Sequence, residues 1–441
     1  MAIFNLITLL TVLTAAFAYL NVRFLKLPDT IGIMVIALVF SLVLILGYSL
    51  NPAALEGARQ LAGRIDFTTV VLDIMLGFLL FAGSLHTDFQ RLKTERRSIA
   101  LMVLIGVLLS TGLIGTLLYG LLALLGQPLD YLYCLLFGAL ISPTDPIAVI
   151  SILTQSRVPK SIEIKIVGES LFNDGVGIVV FLTLLEVARR GMASVTLGEV
   201  SMLFLREAVG GVLLGWVIGF GLFYLIRSID HYQTEILITL AAVMGGSVAA
   251  SWLHVSGPLA IVVAGLLTGG PVKDTVMSEV TEEYVGKFWE VIDVILNALL
   301  FVLMGFRLLS LAFQWFYLAA GGGAVLIVLL SRYASIRVPL LLSRQDQATQ
   351  RRDGLMMTWG GLRGGLSIAM ALSIPETFAA KPLLVFITYV IVLFSILVQG
   401  LTLPTVVKRL YRSEETVDAP SAGLPHPSPA EPVRQPKRDP G

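Results

Sequence analysis

Long blocks of apolar residues dominate this sequence of 441 residues. A helix needs about 20 consecutive apolar residues to cross the roughly 30 Å of hydrocarbon in a bilayer. Breaking the sequence at its polar and Gly/Pro-rich connections gives thirteen candidate spans. The sequence therefore predicts an all-α polytopic membrane protein, with spans near residues 2–20, 29–48, 67–86, 98–125, 130–153, 162–188, 203–226, 233–253, 256–270, 286–306, 313–342, 354–375 and 382–407.

Composition argues against several other classes of protein. Hydrophobic residues make up 56% of the chain and charged residues 14%, whereas a soluble domain has about 25% charged residues. A net charge of +1 without a basic stripe predicts no nucleic-acid partner. The single cysteine, Cys134, excludes an intramolecular disulfide. The sequence contains no cluster of His and Cys residues that would bind a transition metal or haem, so we expect no cofactor.

The connections on one side of the predicted spans carry more than twice as many Lys and Arg residues as those on the other. The positive-inside rule makes the richer side cytoplasmic. We therefore predict a multi-pass protein of the cell membrane, embedded in the lipid bilayer, with its N-terminus outside and its C-terminus in the cytoplasm. Residues 413–441 are rich in proline and poor in large apolar side chains, which predicts a disordered cytoplasmic tail.

The fifth predicted span contains an acid between two prolines, in the sequence Ser142-Pro143-Thr144-Asp145-Pro146. Proline removes a backbone donor and disfavours helix in the preceding residue, so we expect this helix to break at the membrane centre. Irregular backbone is tolerated there only inside protein or beside a cavity, where freed carbonyls and half-helix ends can bind ions. The alternative is a structural kink in which Asp145 is incidentally paired.

The sixth predicted span carries four polar side chains within about one and a half turns. Glu169 and Asn173 share one helix face, and Ser170 and Asp174 share another, because each pair is four residues apart. A charge buried in a bilayer is costly and therefore suggests function. Oxygen ligands suit a hard cation such as Na⁺ or Li⁺, so this cluster predicts a cation site.

Two arginines add positive charge within the predicted spans. We expect Arg332 to pair with Glu169, which leaves Asp174 free to exchange ions. Arg363 lies among four glycines in residues 360–365, which predicts a second broken helix. The two breaks are seven spans apart and so enter the membrane from opposite faces, as in inverted repeats whose broken helices cross. Arg363 would then supply positive charge to the half-helix ends.

Other polar groups have less specific interpretations. Asp73 could face a cation path, but a hydrogen bond within the bundle is the better interpretation. Asp293 and Asn297 form a polar face on the tenth span, and this face could equally join two helices.

Three motifs in order resemble those of the NhaP-type members of the cation:proton antiporter-1 family. They are Thr144-Asp145-Pro146, then Gly168-Glu169-Ser170 with Asn173-Asp174, then Gly361-Leu362-Arg363-Gly364. The resemblance covers roughly residues 5–410. It implies an NhaA-like antiporter fold in a transmembrane exchanger domain of residues 1–412, and a homodimer. A core domain (about 98–188 and 313–407) would move in an elevator-like displacement against a dimerisation domain (about 1–86 and 233–306), with residues 203–226 as a linker helix.

The same resemblance implies roles for the site residues. Asp174 would bind the ion and the proton, and Glu169 would be held by Arg332. The residues around Asp174 would be Thr144, Asp145, Ser170 and Asn173. An Asn-Asp pair at 173–174 implies electroneutral exchange. Ala82 stands where some relatives carry an acid, which puts a ligand from the third span in doubt.

These observations predict a secondary active antiporter rather than an enzyme. It would exchange Na⁺, Li⁺ or K⁺ for H⁺ by alternating access, with the cation and the proton competing for Asp174. A K⁺-selective cation/proton exchanger and a cation channel are the alternatives, and saturable counterflow would separate a carrier from a channel. An intramembrane enzyme is disfavoured because no zinc motif or Ser–His dyad lies in mid-span.

Overall fold

The structure, a computed structural model, describes residues 2–27, 29–50, 75–145, 149, 153, 160–191, 196–308, 315–341 and 347–411. Within these ranges the chain is helical, without a β-strand. The principal helices, numbered here in chain order, are α1 (Ala2–Leu20), α2 (Asp29–Leu50), α3 (Leu76–Leu85), α4 (Phe89–Leu124), α5 (Tyr131–Ile141), α6 (Lys160–Arg190), α7 (Leu197–Arg227), α8 (Tyr232–Leu253), α9 (Gly257–Leu267), α10 (Glu279–Leu308), α11 (Trp315–Leu341), α12 (Gln347–Trp359), α13 (Gly365–Ser373), α14 (Lys381–Phe394) and α15 (Leu401–Tyr411).

Each of the thirteen predicted spans overlaps at least one of these helices. In the described part of the chain, 7 continuous helical stretches are long and apolar enough to cross a membrane by themselves. They are α4, α6, α7, α8, α11, residues 257–276 and residues 381–411, and α3 and α5 are shorter apolar helices. The prediction of an all-α polytopic membrane protein is confirmed. Asp73 and the predicted tail at residues 413–441 lie outside the described residues.

Several helices begin where a side chain binds the backbone N–H groups that a helix leaves unpaired in its first turn. Asp88 accepts from a backbone N–H at the start of α4, and Asp130 does the same for α5. Thr196 and Glu199 form a reciprocal capping box at the start of α7. These local contacts fix where the helices begin: α5 begins close to its predicted span, whereas α4 and α7 begin before theirs, at Phe89 and Leu197.

The helices pack in two groups. In the first group α4 packs against α5, α6 and α11, and α11 packs against α14. In the second group α3 packs against α9 and α10, and α10 also packs against α2. Helix α7 lies along α9 and also contacts α6. A cavity that lies between the two groups can therefore be lined by side chains from both.

Three glycines at four-residue spacing bring α7 against α9, as small residues do at helix interfaces in membranes. A Cβ atom added at Gly211 would lie 2.6 Å from the carbonyl oxygen of Ser256. One added at Gly215 would lie 2.7 Å from Cβ of Val263, and Gly219 is similarly crowded. The two backbones are close enough that no side chain fits between them.

Gly215→Val is therefore expected to destabilise the protein by about 1–3 kcal/mol, the usual cost of overpacking. Gly221→Val on the same helix is the matched control, because a Cβ atom there would meet no heavy atom within 4 Å. The measurement is unfolding of the two purified variants in detergent. Equal stability of the two variants would show that the α7–α9 contact is looser than described.

Candidate functional site

The two predicted breaks in the fifth and twelfth spans lie side by side. Helix α5 ends at Ile141, and residues 142–145 are not helical. Helix α12 ends at Trp359, and α13 begins only at Gly365. The backbone N–H of Asp145 donates to the carbonyl oxygen of Leu362 at 2.8 Å. The prediction of two broken helices that cross is confirmed.

Arg363 connects the second break to the first. Its guanidinium is buried, and Nη1 donates to the carbonyl oxygens of Ser142 and Pro143, the latter at 2.8 Å. Its own backbone N–H donates to Oγ of Ser395 at 2.7 Å. The structure thus places the positive charge of Arg363 on carbonyl groups that the broken α5 leaves without helical partners.

Glycines around Arg363 allow this close approach. A Cβ atom at Gly364 would lie 2.6 Å from Oδ2 of Asp145, and one at Gly361 would lie 2.7 Å from Nε of Arg332. Both distances are shorter than a carbon atom tolerates. The second break therefore needs glycine because side chains of the site occupy the space where a Cβ atom would be.

Glu169 and Arg332 form a buried, bidentate ion pair. Nη1 and Nη2 of Arg332 donate to Oε1 and Oε2 of Glu169 at 2.6 and 2.5 Å. Nδ2 of Asn173 donates to the same Oε1 at 2.9 Å and to the carbonyl oxygen of Ser142 at 3.2 Å. Both carboxylate oxygens of Glu169 are thus occupied, and Asn173 is fixed between α6 and the first break.

The carboxylate of Asp174 is in a different situation. Asp174 is only 7% exposed. None of the described residues forms a hydrogen bond or an ion pair with its carboxylate. Asp145 and Glu169 repel its charge, and Arg363 attracts it. A charged carboxylate at this depth is costly unless a cation or a proton joins it.

Uncharged oxygen atoms lie in the same region as this carboxylate. The hydroxyl groups of Thr144 and Ser170 are hydrogen-bonded to each other at 2.9 Å. Oδ1 of Asn173 and Oγ of Ser367 are buried and have no hydrogen-bond partner among the described residues. Oxygen atoms of this kind are the ligands that hard cations prefer, so the arrangement fits a monovalent cation.

A cavity of about 50 Å³ opens onto these groups. From the first packing group it is lined by Thr144, Asp145, Asp174 and Ser367. From the second group it is lined by residues of α3 and α10, among them Gly83 and Asn297. Its volume exceeds the roughly 10–15 Å³ that one water needs, so it can hold a partly hydrated ion. The site lies between the two packing groups.

The structure brings every sequence-predicted site residue to one region. Ser367 was not predicted, although its position four residues after Arg363 is a signal that could have found it. Asn297 was predicted only as part of a polar helix face. The described part of α3 contributes no acid to the cavity, as the alanine at position 82 suggests.

Comparisons with known proteins give a consistent result. Residues 12–409 match the family described as "Sodium/hydrogen exchanger, transmembrane". The Na(+)/H(+) antiporter NhaP of Pseudomonas aeruginosa is 45% identical over 93% of this chain and 97% of its own length. The Na(+)/H(+) antiporter NhaH of Halobacillus dabanensis is 34% identical over 88% of this chain and 93% of its own.

The solved structure of the sodium proton antiporter MjNhaP1 from Methanocaldococcus jannaschii has a similar fold. The TM-score is 0.73 at 20% sequence identity, and the match covers 93% of this chain and 98% of that one.

Proposed function

Because this chain belongs to the sodium/hydrogen exchanger family, we propose that it is a secondary active antiporter that exchanges Na⁺ for H⁺ across the membrane. The observation that supports this most directly is the buried carboxylate of Asp174, which has no hydrogen-bond or ion-pair partner among the described residues. Relatives that share up to 45% of the sequence are named for the same exchange.

Asp174, not Glu169, is the carboxylate that exchanges ions. Glu169 is neutralised by a bidentate bond to Arg332, which cannot be deprotonated in a protein. Asp174 lies about one and a half turns away and faces the cavity, without such a bond to any described residue. Its charge is balanced only when a cation or a proton binds, and the two compete for the same oxygen atoms.

This competition makes exchange obligatory. With Na⁺ or H⁺ bound, the site is close to neutral and can move between the two faces of the membrane. Without either, the bare carboxylate would have to cross at a cost of several kcal/mol. One carboxylate that carries either one Na⁺ or one H⁺ gives electroneutral, one-for-one exchange.

The cation would be held by oxygen atoms from the first broken segment and α6. We assign this role to Asp174 and Asp145 as carboxylates, to the hydroxyls of Thr144 and Ser170, and to the free Oδ1 of Asn173. The backbone around the first break is fixed by Arg363. Ligands on segments that cross at mid-membrane can move together with the ion.

The two packing groups suggest how this movement occurs. The core (about 98–188 and 313–407) would be displaced against the dimerisation domain (about 1–86 and 233–306), with residues 203–226 as the linker. The excess of Lys and Arg in one set of connections supports an N-terminus outside and a C-terminus in the cytoplasm. A homodimer in the cell membrane remains an expectation from the sequence resemblance.

Two alternatives remain within the same fold. A cation channel could use the same buried acids, but two crossing broken helices around a midplane site are typical of carriers. A K⁺-selective exchanger would use the same oxygen ligands.

The test is dissipation of a pH gradient in everted membrane vesicles on addition of NaCl, LiCl or KCl. The proposal expects saturable dissipation with NaCl, and vesicles without the protein should show none. Dissipation with KCl alone would establish the K⁺-selective alternative. A response to no salt would overturn the proposal, and salt-driven ion flow that neither saturates nor moves protons would indicate a channel.

A further inference from the structure

We propose that Asn297, on α10, contributes an oxygen ligand to the transported cation from the side of the cavity opposite Asp174. This inference rests on the proposed antiport function, and it concerns a residue outside the three sequence motifs. Asn297 is only 4% exposed and lines the same cavity as Asp174, Thr144 and Asp145. It belongs to the second packing group, whereas those three residues belong to the first.

The neighbour of Asn297 fixes the orientation of its amide. Nδ2 donates to Oδ1 of Asp293 and to the carbonyl oxygen of Asp293, both at 3.0 Å. An ionised carboxylate and a carbonyl can only accept hydrogen bonds, so the nitrogen of the amide must be the atom that faces Asp293. Oδ1 of Asn297 is left without a partner among the described residues and can bind a cation in the cavity.

Asp293 is therefore a positioning residue. It lies four residues before Asn297, on the same helix face, and acts on the cation through the amide that it orients. A joint between two helices would require the pair to bond to another helix. Among the described residues, the amide donates only within α10. The pair therefore does more than join helices, because Oδ1 of Asn297 belongs to a residue that lines the cavity.

The position of Asn297 makes its contribution one-sided. Helix α10 packs with α2 and α3, so Asn297 would not move with the core during the transport cycle. The same face of α10 continues through Glu290 to a second cavity of about 470 Å³ that contains Glu282, Glu283 and Lys287. In the proposed orientation this second cavity is cytoplasmic, and the cation would reach Asn297 from that side.

The experiment measures Na⁺/H⁺ exchange by Asn297→Leu, which keeps the size of the side chain and removes its oxygen. At the cytoplasmic face the half-saturating Na⁺ concentration should rise about tenfold, the effect of one lost contact to a charged group. The maximal rate should stay within about twofold, and half-saturation at the outer face should not change. Everted and right-side-out vesicles expose the two faces separately.

Further variants separate positioning from a general effect on the fold. Asp293→Asn keeps an oxygen acceptor for the amide of Asn297 and should behave almost as wild type. Asp293→Leu removes that acceptor and should raise the cytoplasmic half-saturating concentration. Thr239→Val is the matched control, since Thr239 is buried and accepts from Trp289 of α10 outside the cavity, and it should leave both faces unchanged.

Unchanged half-saturation in Asn297→Leu would overturn the inference, as would an equal rise at both faces. If Asn297→Leu fails to fold, Asp293→Leu provides the test. A half-saturating Na⁺ concentration in Asp293→Leu equal to that of the wild type would then overturn the inference. These outcomes differ from a failure of the proposed function, in which the wild type itself would show no Na⁺-driven proton movement.

Discussion

Asp174→Asn is expected to abolish Na⁺-driven proton exchange while the protein stays folded. The amide keeps the shape of the side chain but can neither bind a proton reversibly nor balance the charge of Na⁺. The carboxylate has no hydrogen-bond or ion-pair partner among the described residues, so the substitution breaks no contact that holds helices together. The measurement is pH-gradient dissipation in everted vesicles that contain equal amounts of folded wild type and variant.

Glu186→Gln is the matched control for this experiment. It makes the same chemical change on the same helix, but Glu186 is partly exposed and pairs with Arg190 one turn away at 2.6 Å. Exchange by this variant should remain close to wild type. Retained exchange in Asp174→Asn would show that another group carries the proton, and Asp145 would be the first to examine.

Arg332→Gln is expected to lower the free energy of unfolding by about 3–5 kcal/mol, the cost of leaving one partner of a buried ion pair without the other. Glu169 and Arg332 are both buried and bound through two hydrogen bonds. Without Arg332, the Glu169 charge remains in the bundle and the contact of Asn173 with Glu169 is weakened. The measurement is detergent-based unfolding of purified protein.

The double variant Glu169→Gln with Arg332→Gln should recover part of this loss, because it leaves no uncompensated charge. Arg190→Gln, which breaks the exposed pair with Glu186, should have little effect because exposed ion pairs contribute little. Equal stability of Arg332→Gln and Arg190→Gln would contradict the role given to the buried pair. Recovery in the double variant would show that charge, not packing, causes the loss.

The features that the sequence predicted best are those with a local cause. The prolines at 143 and 146 and the glycines at 360–365 predict broken helices from backbone chemistry alone, and the structure confirms both breaks. The pairing of Glu169 with Arg332 is long-range, with a sequence separation of 163. It could still be anticipated, because a guanidinium in hydrocarbon requires a fixed acid.

The features that the sequence predicted poorly depend on packing. Gly364 is next to Asp145 only because the two breaks cross, so its spacing from other residues carries no information about that contact. Ser367 faces the cavity because of the direction in which α13 leaves the break. Asn297 donates to Asp293 four residues earlier. The same two residue types at the same spacing would be expected if the pair joined two helices, so the sequence does not reveal a role at the cavity. The cavity alone distinguishes the two interpretations.

In the proposed mechanism one carboxylate, Asp174, holds either Na⁺ or H⁺ but not both. The most direct test is proton release when Na⁺ is added to purified protein in detergent and weak buffer. Wild type should release close to one proton per protomer as Na⁺ binds, and Asp174→Asn should release none. Na⁺ binding without proton release in the wild type, or equal release by both proteins, would contradict the claim.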